Sequence, residues 1–90
     1  MALSAFDKGR LKIAAHVREE LELAGIAFES IQCRADGMQT RPDTARLTIT
    51  AAGTRDHLDL PAHEVEECES IVAGEVWYKI AGLIDRFHPI

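Results

Sequence analysis

PAHEVEECESIVAGEVWYKIAGLIDRF, residues Pro61–Phe87, is the longest stretch of the chain that reads in a single period. At 100° per residue, Val65, Val72, Val76, Ile80, Leu83 and Phe87 fall on one broad apolar face. Glu64, Glu66, Glu67 and Glu69 crowd the first turns, and Lys79 and Arg86 the later ones, as the helix macrodipole favours. The spacing predicts one amphipathic helix about 40 Å long at the α-helical rise. Gly74 and Gly82 interrupt it in sequence. A mid-helix glycine costs only about 1 kcal/mol, so the helix is expected to continue through Gly74 rather than break there. Its opposite side carries a second, small-residue stripe of Ile71, Gly74, Tyr78, Ala81 and Gly82. A helix lying on a sheet needs only one apolar face, so this stripe calls for a second neighbour. Either the N-terminal helix packs alongside it, or it is an interface for a protein partner or a second copy of the chain.

The residues before Pro61 supply the sheet. Ala45, Leu47, Ile49 and Ala51 alternate with Arg46, Thr48 and Thr50, the pattern of a half-buried strand. A two-residue turn at Gly53–Thr54 sets Ile49 opposite Leu58 and Thr48 opposite Asp59. A turn at Ala52–Gly53 keeps the same faces but sets Arg46 opposite Asp59. Asp59 is then a candidate N-cap for the last helix, with Pro61 in its first turn. Upstream, Ile26 to Arg34 has strand composition without clean alternation. Ile26 and Phe28 share one face, and Ile31 and Cys33 the other. The strand is therefore covered on both faces or shifted by a bulge near Glu29–Ser30. Ala35 to Thr44 reads as a loop with turn pairs at Asp36–Gly37 and Pro42–Asp43. Asp36–Gly37 is also a candidate hairpin tip.

The chain begins with a second amphipathic helix, from about Ser4 to Ala24. Leu3, Phe6, Ile13, Ala14, Val17, Leu21 and Ala24 lie within one arc. Ser4 and Asp7 form a weak capping box, and Gly25 followed by Ile26 is a Schellman stop. Arg10 points into the apolar arc and must snorkel or find an acid. The order is thus α-β-β-β-α. It predicts an α+β two-layer sandwich, a three-stranded antiparallel sheet with two helices packed on one face. Ninety residues suit a single domain (1–90) with a core of its own.

Composition narrows the function classes. The net charge of −5 argues against general attraction to nucleic acid or anionic lipid. Residues 1–18 nevertheless carry +3 and residues 58–75 carry −6, a polarity that suits self-association or a basic partner. Cys33 and Cys68 are too few for a disulfide framework and lack a Cys-x-x-Cys spacing, so they read as buried thiols. No signal peptide is visible and Ile71–Ile84 is too short to span a membrane, which predicts a soluble, cytoplasmic protein. Thirteen alanines, and seven arginines against three lysines, suggest a GC-rich bacterial genome.

His63 and Glu67 stand four apart on one helix face, with His57 close in sequence, the spacing of a two-ligand metal site. A zinc-protease helix needs a second histidine that is absent here, and acids gather at a helix start for electrostatic reasons alone. The acids are therefore read as dipole-matched, with a metal-dependent enzyme using His63, Glu67 and His57 as the alternative. His57, Thr48, Thr50, Arg46 and Arg55 make a polar outer sheet face, solvated or open to a small anion or a partner. His16 and His88 read as surface residues. No nucleophile–base–orienter set and no phosphate-binding glycine loop is present, and no cofactor is expected.

The α-β-β-β-α order is similar to that of double-stranded-RNA-binding domains, in topology alone. That resemblance implies a phosphate-gripping lysine cluster at the start of the second helix, where this chain has Glu64, Glu66, Glu67 and Glu69. The charge reversal makes nucleic acid an unlikely partner. The sequence therefore reads as a non-catalytic protein-interaction or regulatory module, paired with a protein partner or as a homodimer.

Overall fold

Helix α1, Ala5–Leu23, starts and stops on local chemistry. Ser4 is extended, and its Oγ accepts a hydrogen bond from the Asp7 backbone N–H at 3.1 Å. The Asp7 carboxylate accepts a hydrogen bond from the Ser4 hydroxyl rather than from the Ser4 backbone N–H, so the capping box is incomplete. At the other end Gly25 has φ +72°. Ile26 N–H reaches the Leu21 carbonyl at 2.9 Å and Gly25 N–H the Glu22 carbonyl at 3.1 Å, the two bonds of a Schellman motif. Phe6, Ile13, Val17 and Leu21 are buried along one side. Arg10 finds its acid: the guanidinium donates to Asp7 Oδ1 and to the Cys33 carbonyl, and lies over the Phe6 ring.

The computed structural model describes residues 3–38, 41–69, 71–72 and 74–87. Three strands follow α1: β1 Ser30–Met38, β2 Arg41–Ala51 and β3 Thr54–Pro61, an antiparallel sheet in the order β1-β2-β3. Within the segment 35–44, expected as a loop, described residues are instead paired: Ala35 with Ala45, Asp36 with Thr44, Gly37 with Pro42 and Met38 with Arg41. The hairpin therefore closes beyond Met38, and Asp36–Gly37 is not its tip. The register shift lies between Asp36 and Gly37, not near Glu29–Ser30. Asp, Gly and Pro read as turn formers, but a bulge next to Gly37 absorbs them while the strand continues. Strand β1 also begins later than expected. Ile26 and Phe28 pack on the core from an irregular lead-in, and this explains the broken alternation.

Between β2 and β3 the turn is Ala52–Gly53, with φ +52° and +76°. Two successive positive φ values match the right-handed strand twist of a tight hairpin. Arg46 therefore faces Asp59, Thr48 faces His57 and Thr50 faces Arg55. Asp59 is consequently paired across the sheet and does not cap a helix; the N-cap of the next helix is Pro61, without a side-chain cap bond.

The Pro61–Phe87 stretch forms two helices, α2 Ala62–Glu67 and α3 Gly74–Asp85. The last turn of α2 tightens to i→i−3 bonds, Cys68 N–H to the Val65 carbonyl and Glu69 N–H to the Glu66 carbonyl. Gly74 begins α3 instead of interrupting a helix. Weighing Gly74 alone understates the local cost. Ser70, Ile71, Val72 and Gly74 together disfavour helix by roughly 2 kcal/mol relative to alanine. The break also rotates the two pieces independently. Cys68 and Ile84, about 160° apart on one straight helix, are both buried.

All three helices cover the sheet face carrying Ala45, Leu47, Ile49 and Leu60, each fully buried. Val65, Val76, Ile80 and Leu83 close the core from above, so the apolar face expected for 61–87 is the buried one. Both cysteines lie in this core, and burial pushes the Cys33 thiol up to about 11.

Candidate functional site

The stripe of Ile71, Gly74, Tyr78, Ala81 and Gly82 divides in two. Ile71 and Gly74 line a groove of about 400 Å³ against α1, whose wall is Lys12, His16 and Glu19, one face at i, i+4 and i+7. Val72 and Trp77 complete the lining. The His16 ring meets Trp77 edge-on, with centroids 4.7 Å apart and planes at 84°. His16 Nε2 is buried without a hydrogen-bond partner among the described residues. His16, expected on the surface, is thus half-buried packing for the chain's single tryptophan. His88 lies outside the described residues.

The rest of the stripe faces away from the core on α3. Tyr78 is 79% exposed and Gly82 is exposed, while Ala81 is half-buried. Ile71 is 74% exposed even where it borders the groove. Helix α1 therefore does not supply the second neighbour that this stripe lacks. Glu75, Asp85 and Arg86 surround Tyr78 and Gly82 with charge.

Of the acids expected to crowd one helix start, only Glu64 lies in the first turn of α2; Glu66 and Glu67 fall in its last turn and Glu69 beyond its end. Glu64, only 8% exposed, accepts two hydrogen bonds from Lys79 Nζ at 2.7 and 3.0 Å, tying α2 to α3. Glu69 pairs with Lys8 of α1 at 3.2 Å, and both groups are half-exposed. The dipole reading holds for Glu64 alone, because α2 ends at Glu67, and the cations of Glu64 and Glu69 come from distant segments that local spacing does not show.

His63 and Glu67 are exposed on α2, on the helix-bearing side of the sheet, whereas His57 stands on the outer face. The sheet separates the residues that the metal reading would join. Among the described residues no group of three or more His, Cys, Asp or Glu could hold a metal ion.

The outer face is a grid of polar side chains set by the register. Arg34, Arg46 and Asp59 form one row, Gln32, Thr48 and His57 the next, and Ser30, Thr50 and Arg55 the third. Arg46 grips Asp59 through Nε at 2.8 Å and Nη2 at 3.4 Å, and this guanidinium holds the Asp59 carboxyl below the usual carboxylate range. A polar concavity of about 280 Å³ opens on this face. Sequence reading found most of its residues, but Ser30 and Gln32 escaped because β1 was misplaced at its start.

No helix among the described residues is long and apolar enough to cross a membrane. Comparison of the chain with protein-family models, with curated proteins and with solved structures finds no match.

Proposed function

We propose that the chain is a non-catalytic protein-interaction module that works through the 71–82 surface, as a homodimer or with a protein partner. The observation that carries this reading is the exposure of Ile71 and Tyr78 beside an apolar groove that α1 leaves open. An exposed large apolar side chain at the rim of an apolar groove is the kind of feature that marks a contact surface. Tyrosine and tryptophan are also the residues that anchor such contacts. The charge polarity between residues 1–18 and 58–75 favours association with an oriented partner.

The test is association measured by sedimentation across the micromolar range, with Tyr78→Glu beside the wild type. The expected result is a concentration-dependent species in the wild type, weakened at least tenfold by the substitution. Trp77 lines the groove and is the sole tryptophan, so its fluorescence reports engagement directly. A strict monomer whose solubility and Trp77 emission ignore Tyr78→Glu, and which pulls no protein from its native host, would sink the reading.

A further inference from the structure

We infer that the outer face of the sheet is a binding site for a small multivalent oxyanion, a phosphorylated or dicarboxylic ligand, separate from the 71–82 surface. The nine-residue grid carries Arg34, Arg46 and Arg55 against Asp59, a net +2 with histidine neutral, on a chain whose total is −5. Local charge thus opposes global charge, and much of the excess acid lies elsewhere, in the glutamates of residues 64–75. The concavity is lined by two arginines, Arg46 and Arg55, with a histidine, a glutamine and hydroxyls between them, and no carboxylate lines it.

The two arginines stand at opposite ends. Arg46 and Thr50, the residue opposite Arg55, are four apart on β2, about 13–14 Å of strand. Both arginines line one concavity with Thr48 between. That arrangement suits a ligand with an anionic group at each end. The Arg55 guanidinium fork can match carboxylate or phosphate oxygens in two-point fashion, and hydroxyls and an amide supply further donors. Arg46 already gives Nε and Nη2 to Asp59 and makes a further contact, so it offers a ligand only the donors these leave. Arg55 makes no ion pair among the described residues and has its full donor set to offer. The volume of about 280 Å³ is that of a small ligand. The lining has no aromatic ring on which a base could stack, so it offers a single-stranded nucleic acid charge without a stacking platform.

The experiment is a low-salt NMR titration of the whole chain with pyrophosphate in one arm and succinate in the other, up to about 10 mM. The expected result is saturable shifts at the Thr48, Thr50, Arg55 and His57 amides. Arg55→Gln should weaken binding about tenfold, the loss of one charge-assisted two-point contact. Arg18→Gln removes the same charge from the exposed side of α1 and should change it less than about twofold. The arm that binds more tightly identifies the ligand as phosphoryl or carboxylate. Shifts in neither arm, or equal losses in Arg55→Gln and Arg18→Gln, overturn the site. Because Tyr78 lies on the opposite side of the sheet, failure here leaves the association result for Tyr78→Glu standing on its own.

Discussion

Helices α2 and α3 come from one continuous amphipathic stretch, yet the protein uses them in opposite ways. The six residues of α2 are locked from several directions. Val65 lies against α1 at Gly9, Glu64 is buried on Lys79, and the Cys68 thiol is fully buried, donating to the Glu64 carbonyl at 3.3 Å. The twelve residues of α3 bury Val76, Ile80, Leu83 and Ile84 and leave the side bearing Tyr78 and Gly82 to solvent. A short helix held through Glu64 and Val65 serves the fold. A longer one held by a single face keeps a surface for something else.

The sharpest way to break that contrast is at the α1–α2 crossing. A Cβ on Gly9 would stand 1.8 Å from the Val65 carbonyl oxygen, which is backbone and cannot swing aside. Gly9→Ala brings about 1 kcal/mol of helix propensity, but α2 must move away to admit the methyl group. The expected net loss is about 2–4 kcal/mol, with a lower urea midpoint. A variant as stable as the wild type would show that α2 is not seated on α1 at this point.

The next effect lies in the link between the two helices. Lys79→Met leaves the Glu64 carboxylate enclosed without its cation. Lys79 itself is partly exposed, so the loss is about 1–3 kcal/mol. Adding Glu64→Gln should recover part of that loss in a double-mutant cycle. Lys8→Met, which removes the half-exposed partner of Glu69, should cost no more than about 0.5 kcal/mol. Equal costs for the two lysines would erase the distinction between a structural tie and a surface one. On α3, Tyr78→Glu should leave the urea midpoint where it was, since Tyr78 is exposed, and act on association alone.

The same contrast explains what could be read in the sequence. Elements set by local rules were legible: α1 with its Ser4 start and Gly25 stop, the β2–β3 hairpin, and the α+β class. The apolar period of 61–87 correctly marked Val65, Val76, Ile80 and Leu83 as core. It did not reveal the break, because Val65 and Val76, eleven residues apart, stay in phase whether or not the helix between them is continuous. Gly9 gave no sign either, since its reason is a carbonyl 56 positions away. For the candidate surfaces, the period marked Ile71 and Tyr78 as unmatched by the sheet, but the groove that His16 and Trp77 build depends on how α1 passes α3. The outer sheet face was legible in β2 and β3, whose alternation is clean, and not in β1, where it is not.

The smallest effect concerns the ends of the elements. Asp56 on β3 accepts a hydrogen bond from Arg86, just beyond α3, at 2.9 Å. The Arg86 guanidinium, and then the His57 backbone N–H, hold its carboxyl below the usual value. Arg46 does the same for Asp59, as do Arg10 and then Ser4 for Asp7. A carboxyl whose folded pKa is depressed adds stability above its unfolded pKa, near 3.9, and loses it as pH falls through the folded value. The stability that these three groups add should therefore be lost below about pH 4, and gently, since all three meet solvent. Arg86→Gln should raise the Asp56 titration midpoint toward the ordinary carboxylate value, read by carboxyl-carbon NMR, and leave Asp59 unchanged. An Asp56 that titrates normally in the wild type would remove this tie between α3 and the sheet. With it in place, α3 is fixed by its buried side, by Lys79 in its middle and by Arg86 just past its end, and none of these covers Tyr78.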